Sequence, residues 1–350
     1  MRQSAERDML EALELFYYAS GFAKRRFLCV FQEPQWVSEM LLDLRLLRQA
    51  GLEVLLWAPG LVESDLPAGF PVAWLKGPGA LGEALAAGSL PLLTEAHNEP
   101  LEHAFELARA YGAGRIIWFG EDAGLTRGGK LVSHLDLAEL RQLIAEEVAH
   151  NQNQAFLTQM AQHLADEGGE WVFVQARAGA LFQEIFTHQG SGTLVAQEYQ
   201  KAIEPAQAAD LMDLMLLMRP YVKSGVILPV DEHQLAKEVG DYWVYRLDGN
   251  IVATARTRII GDWVELGKFC SLPRYQGKGR ARELVGQIGE AMRAQGMRWV
   301  FALTIEPKMA QFFVRLGFEP VAREELPAQW AAGYDFSRPS TAFRLDLQAK

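Results

Sequence analysis

From Phe27 onward the chain alternates short apolar runs with amphipathic stretches. Phe27-Leu28-Cys29-Val30-Phe31 is an unbroken apolar run, the pattern of a strand buried on both faces. Leu41, Leu42, Leu44, Leu46 and Leu47 then recur at helical spacing, and Gln49-Ala50-Gly51 supplies a glycine stop. A second strand, Val54 to Trp57, closes at Ala58-Pro59-Gly60. This β-α-β order predicts a right-handed parallel crossover. The same reading places strands at 72–75, 90–93, 115–119 and 171–174, and helices at 8–20, 98–111, 136–148 and 154–167. Gly124 to Val132 reads as a glycine-rich hairpin. The first half is therefore expected to be an open α/β sandwich, and the chain as a whole α/β.

The pattern changes in the second half. Tyr242–Leu247 and Ile251–Thr257 alternate as strands around the tight turn Asp248-Gly249-Asn250. Val264 to Cys270 is a further strand. Ala281, Leu284, Val285, Ile288 and Met292 mark an amphipathic helix, and Arg298–Leu303 another strand. Between Cys270 and that helix lies Gln276-Gly277-Lys278-Gly279-Arg280-Ala281. A glycine-rich turn from strand to helix gathers free N–H groups and the positive end of a helix dipole, which suits an anion. An ordinary turn ahead of a surface helix explains these six residues equally well, so the rest of the chain has to decide.

At 350 residues the chain has room for two cores. The net charge of −10 is uneven. Residues 1–196 hold 14 Lys and Arg against 25 Asp and Glu; residues 197–350 hold 20 against 19. An acidic whole argues against nucleic acid, which needs a basic face. The two cysteines, Cys29 and Cys270, permit neither a disulfide framework nor zinc spacing, so no metal is expected and a cytoplasmic setting is. No apolar run reaches membrane-spanning length and no signal core follows Met1.

The spacing Gln276-x-x-Gly279-x-Ala281 resembles the pyrophosphate loop of the GNAT acetyltransferases. Upstream, Glu184-Ile185-Phe186-Thr187-x-x-Gly190-x-Gly192-Thr193 resembles the end of the amino-acid kinase fold in N-acetylglutamate kinases and synthases. Phe312 to Phe318, Glu325-Leu326-Pro327, Tyr334 and Arg338-Pro339-Ser340 continue the likeness to the synthases, which is best over 178–350. The resemblance implies two domains: 1–196, an amino-acid kinase-like domain, and 197–350, a GNAT acetyltransferase domain of α+β type. It further implies acetyl-CoA as co-substrate, L-glutamate as acceptor at the head of arginine biosynthesis, a homo-oligomer, and L-arginine as an effector. The kinase phosphate loop is replaced by Phe31-Gln32-Glu33-Pro34-Gln35-Trp36, where Pro and Trp block close backbone approach and Glu33 repels phosphate. The first domain therefore reads as degenerate, without use of ATP.

Acetyl transfer to an amine needs a proton acceptor and a stabilised oxyanion. No histidine follows His233, so a carboxylate is the remaining common base. In the synthases a glutamate occupies the strand position of Glu265, which the resemblance makes the base; a salt-bridged strand residue is the plainer alternative. The resemblance gives Lys268, Arg338 and Ser340 to the amino acid, and Tyr334 to protonation of the leaving thiolate. It gives Cys270, Gln276, Gly277, Lys278, Gly279, Arg280 and Ala281 to CoA binding, the last six to its pyrophosphate, with the Cys270 thiol as inert strand packing rather than a nucleophile. Glu184, Gly190 and Gly192 form the arginine site or, equally, a structural brace. Two other readings stay open: transfer to a different amino acid or small amine, and a non-catalytic sensor of arginine or acyl-CoA.

Overall fold

The computed structural model describes residues 25–146, 154–187, 190–247 and 249–349. They form two compact units, Met1–Tyr199 and Gln200–Lys350. The helix expected at 8–20 lies outside the described residues, as do residues 147–148 of the one expected at 136–148.

The first unit is built on strands β1 (Arg26–Phe31), β2 (Glu53–Trp57), β3 (Val72–Trp74), β4 (Leu90–Leu93), β5 (Arg115–Gly120), β8 (His134–Asp136), β9 (Glu170–Gln175) and β10 (Thr193–Ala196), with β6 (Thr126–Arg127) and β7 (Lys130–Leu131) as a separate hairpin. The sheet order is β3-β4-β2-β1-β5-β9-β10-β8. Its ladders are parallel except for β9 with β10. Both faces are covered, and this explains the continuous apolar runs. Leu28, Val30, Trp118 and Trp171 enter one core; Phe27, Cys29, Phe31 and Ile117 enter the other. The helix Pro100–Tyr111 starts on proline and stops at left-handed Gly112, while Asp136 and Glu139 form the capping box of Leu137–Ala145. No sequence signal marked β8, β10 or the helix Ala180–Phe186. That helix is only seven residues long, and its exposed amides are held from elsewhere in the unit. Asp43, on the helix Leu41–Gln49, accepts from Gly179 N and Leu181 N at 3.1 Å each and from Phe182 N at 3.4 Å.

The second unit carries β11 (Lys201–Pro205), β12 (Tyr242–Leu247), β13 (Asn250–Ile260), β14 (Trp263–Ser271), β15 (Trp299–Thr304), β16 (Glu319–Val321) and β17 (Thr341–Asp346), in the order β11-β12-β13-β14-β15-β17-β16. All its ladders are antiparallel except β14 with β15. That parallel ladder lasts only from Trp263–Leu266 to Trp299–Ala302. Beyond it β14 continues along β13 to Ser271, and β15 continues along β17 to Thr304. The two central strands therefore part company and leave a cleft in the sheet. The helix Arg280–Ala294 buries Leu284, Val285, Ile288 and Met292, as its periodicity requires. Among the described residues no helix is long and apolar enough to cross a membrane.

Candidate active site

The cleft opens where β14 leaves β15. Its volume is about 190 Å³, which is small for a ligand pocket and suits a small polar molecule. Glu265, Lys268, Tyr334, Arg338 and Ser340, five residues singled out in the sequence, all line it.

A β-bulge shapes the strand here. Thr254 pairs with Cys270 and Arg256 with Gly267, so Lys268 and Phe269 together face Ala255. Lys268 adopts a φ of 51°, the one positive φ of a non-glycine residue among those described. The bulge therefore re-aims this side chain, and Lys268 Nζ donates to Leu228 O at 2.8 Å. Burial, with the nearby Arg256 and Arg338 cations, holds its ammonium below the usual lysine range. From the other side Arg338 Nη2 donates to Val226 O at 2.9 Å and Gly225 O at 3.2 Å. Lys268 and Arg338 thus grip one segment, Gly225 to Leu228.

Glu265 is half-buried and held from two directions. Trp330 Nε1 donates to Oε1 at 3.0 Å, and Arg258 Nη2 lies 2.9 Å from Oε2. Tyr334 stacks on Trp330, and its hydroxyl shares a short hydrogen bond with Ser340 Oγ. Arg256, Arg258 and Trp330 were not singled out in the sequence. The alternation Arg256-Thr257-Arg258 was legible there, but the register that sets Arg258 opposite Glu265 was not.

The glycine loop lies at the far end of β14. A 3₁₀ turn, Pro273–Tyr275, leads into Gly277 and Gly279, with φ of 83° and 77°, and the long helix starts at Arg280. Left-handed Gly279 is the residue before the first helical turn, whose amides have no acceptor within the helix. Gln276 Nε2 donates to Tyr221 Oη at 3.0 Å, and Arg280 Nη1 donates to Tyr275 O at 3.0 Å. Lys278 and Ala281 are half-buried beside it. Cys270 is fully enclosed, and burial pushes its thiol far above the normal range, so it is packing.

In the first unit, Glu184 is buried and its Oε2 accepts from Ser191 N at 2.8 Å and Gly192 N at 3.2 Å. A Cβ on Gly192 would sit 1.8 Å from Phe173 O, so that glycine is required by backbone packing. Gly190 takes a φ of 62°. The segment is thus braced internally, with residues 188–189 outside the described set. Among the described residues, His97, His103 and Glu106 come close enough to suggest a cation. The two imidazoles, however, stack nearly parallel at 4.4 Å and do not point at a common centre.

Comparison with known proteins adds to this geometry. Residues 238–320 match the family described as Acetyltransferase (GNAT) domain. The chain is 32% identical over 275 residues to an amino-acid acetyltransferase of Pseudomonas fluorescens (strain Pf0-1), covering 74% of this chain and 62% of that one. It is also 32% identical over 288 residues to an amino-acid acetyltransferase of Pseudomonas paraeruginosa, covering 76% and 64%. The chain spans less than two-thirds of the length of these relatives, 62% and 64%. A crystal structure of N-acetylglutamate synthase from Neisseria gonorrhoeae, complexed with coenzyme A and L-arginine, superposes with a TM-score of 0.63 at 18% identity, over 97% of this chain and 99% of that one. The second unit contains a GNAT acetyltransferase domain. About three-quarters of the chain is similar in sequence to the amino-acid acetyltransferases, and the fold is that of the synthase structure, an α/β unit followed by one that matches the GNAT domain.

Proposed function

We propose that the protein transfers the acetyl group of acetyl-CoA to the α-amine of L-glutamate, giving N-acetylglutamate and CoA. The observation that carries this reading is the convergence of Glu265, Lys268, Tyr334, Arg338 and Ser340 on one small cleft, on the strand that ends at the glycine loop. The homology to amino-acid acetyltransferases supports an amino acid as acceptor.

The pyrophosphate of acetyl-CoA rests on the glycine loop at the start of the helix Arg280–Ala294, where the helix dipole favours an anion. The acceptor arrives as an ammonium, and Glu265 takes its proton. Arg258 and Trp330 fix the carboxylate in place for this task. The freed amine attacks the thioester carbonyl, a C–N bond forms, and the C–S bond breaks. Tyr334, paired with Ser340, gives its proton to the departing thiolate and regains one from the nitrogen, which sheds its second proton as the amide forms. Lys268 and Arg338 each retain N–H donors beyond those bonded to the 225–228 carbonyls, and these orient the acceptor carboxylates. The test is release of CoA by the purified chain with acetyl-CoA and a panel of amino acids. Glutamate-dependent release is expected; release with no amino acid in the panel removes the proposal.

A further inference from the structure

This inference rests on the reading that the glycine loop takes the pyrophosphate of acetyl-CoA, and it concerns what holds that loop. Tyr221 sits near the end of the helix Leu211–Lys223, directly after Pro220. Proline has no N–H, so the carbonyl of Leu216 receives no helical bond and the last turn is weakened from within. Contacts outside the helix must then fix that turn, and Tyr221 makes them in two directions.

The side chain reaches the end of β14 and the loop. Its hydroxyl donates to Ser271 O at 2.5 Å and accepts from Gln276 Nε2 at 3.0 Å. Burial pushes the phenol above its usual pKa, so the donated proton is kept at ordinary pH. Ser271 needs this donor. Alternate residues of an antiparallel strand turn their backbone groups to opposite sides. Leu272 N still reaches Val252 O on β13 at 2.8 Å, so Ser271 turns its carbonyl the other way, where the ladder with β15 has already ended. Ser271 is the last residue of β14, and Gln276 opens the loop that leads to the helix Arg280–Ala294. One hydroxyl thus ties strand to loop. A second contact of the Gln276 amide, to Ser271 O, is longer at 3.4 Å.

The backbone of Tyr221 serves the other substrate. Tyr221 O accepts from Ile227 N at 3.1 Å. That bond turns back the Gly225–Leu228 segment, which Lys268 and Arg338 grip at the acceptor side of the cleft. Different atoms of one residue therefore face the two halves of the site, and loss of the hydroxyl touches the loop alone.

We propose that Tyr221 is a positioning residue for acetyl-CoA: its hydroxyl holds Gln276, and with it the glycine loop, in the shape that receives the CoA pyrophosphate.

The test is Tyr221→Phe in the full chain, which deletes the hydroxyl and keeps the ring and the backbone carbonyl. Calorimetry with CoA reads the loop without turnover, and steady-state CoA release reads both substrates. The variant is expected to bind CoA roughly fivefold more weakly and to raise the acetyl-CoA KM alike, with kcat and the glutamate KM nearly unchanged. Unchanged CoA affinity overturns the proposal. An equal rise in both KM values also overturns it, because the whole helix end has then loosened. Gln276→Met keeps the length of the side chain and loses its donor. Gln276 is exposed, so this variant leaves the fold intact and decides the matter if Tyr221→Phe does not fold. It is expected to weaken CoA by a similar factor, and unchanged affinity there overturns the proposal. In the double variant the two losses are expected to combine to well below their product, because each breaks the same bond. Losses that multiply in full show that Tyr221 does not act through Gln276 and overturn the proposal. Wild type that binds no CoA removes the reading of the loop itself, whereas wild type that binds CoA no better than Tyr221→Phe overturns only the role of Tyr221.

Discussion

Trp330 Nε1 donates to Glu265 Oε1 at 3.0 Å, and the same indole stacks on Tyr334 with ring centroids 4.4 Å apart. One buried side chain therefore positions both the proposed base and the proposed acid. Trp330→Phe keeps a ring against Tyr334 but deletes the N–H. It is expected to lower kcat roughly tenfold with little change in the acetyl-CoA KM, and to cost about 1–2 kcal/mol of stability for the smaller ring. Glu265→Gln, which removes the base, is expected to lower kcat by roughly 10²–10⁴. Steady-state CoA release separates the two. A Glu265→Gln enzyme with wild-type kcat removes Glu265 from the chemistry.

Lys268 offers a way to separate folding from function. Its φ of 51° is a conformation that glycine adopts freely and other residues adopt at a cost of roughly 1–2 kcal/mol. Lys268→Gly loses the bond to Leu228 O but relieves that backbone strain. Thermal unfolding of the variant is expected to stay within a few degrees of wild type, while the glutamate KM rises roughly tenfold. A variant with an unaltered glutamate KM shows that Lys268 only secures the Gly225–Leu228 segment.

The glycine loop makes the converse case for the nucleotide half of the site. A Cβ on Gly279 meets nothing within 4 Å, so alanine there clashes with no part of the protein. Its cost is the left-handed backbone, about 1 kcal/mol, together with crowding of whatever sits on the loop. Gly279→Ala is expected to raise the acetyl-CoA KM roughly tenfold and leave the glutamate KM nearly unchanged. Calorimetric titration with CoA checks this without turnover, and equal affinity in both proteins places the CoA phosphates elsewhere.

What the sequence revealed depended on whether the cause was local. The apolar run Phe27–Phe31 declares a strand buried on both faces, because consecutive side chains enter different cores. The turn before Arg280 declares a helix start for the same reason: the glycines that make it are adjacent in the chain. Lys268 was singled out through the family resemblance, yet the bulge that re-aims it arises from pairing with β13. Arg256 and Arg258 passed unnoticed because only the antiparallel register sets Arg258 opposite Glu265 and Arg256 opposite Gly267 at the cleft. The Glu184 motif was visible, but its physical role was not. The amides it braces belong to Ser191 and Gly192, and the tight approach of Gly192 to Phe173 O is a sheet contact. Strand β11 is short, polar and half-exposed, so no apolar alternation announced it.

Asp43 leads to a prediction about pH. Its carboxylate is almost wholly buried and bonded to three amides at the start of the helix Ala180–Phe186. Burial outweighs those bonds and the nearby Arg177, and pushes its pKa above the ordinary carboxylate value. The native chain therefore holds this proton more tightly than the unfolded chain does. Between the unfolded pKa, near ~4, and the raised native value, the native state binds more protons, so the Asp43 contribution to stability falls as pH rises. Asp43→Asn cannot ionise and lacks that decline, although it weakens the hydrogen bonding and is less stable at every pH by roughly 1–3 kcal/mol. The gap in unfolding temperature between wild type and Asp43→Asn is thus expected to be widest near pH 4–5 and to narrow toward pH 8. A gap that widens with pH means that the three amides hold the anion more strongly than burial penalises it.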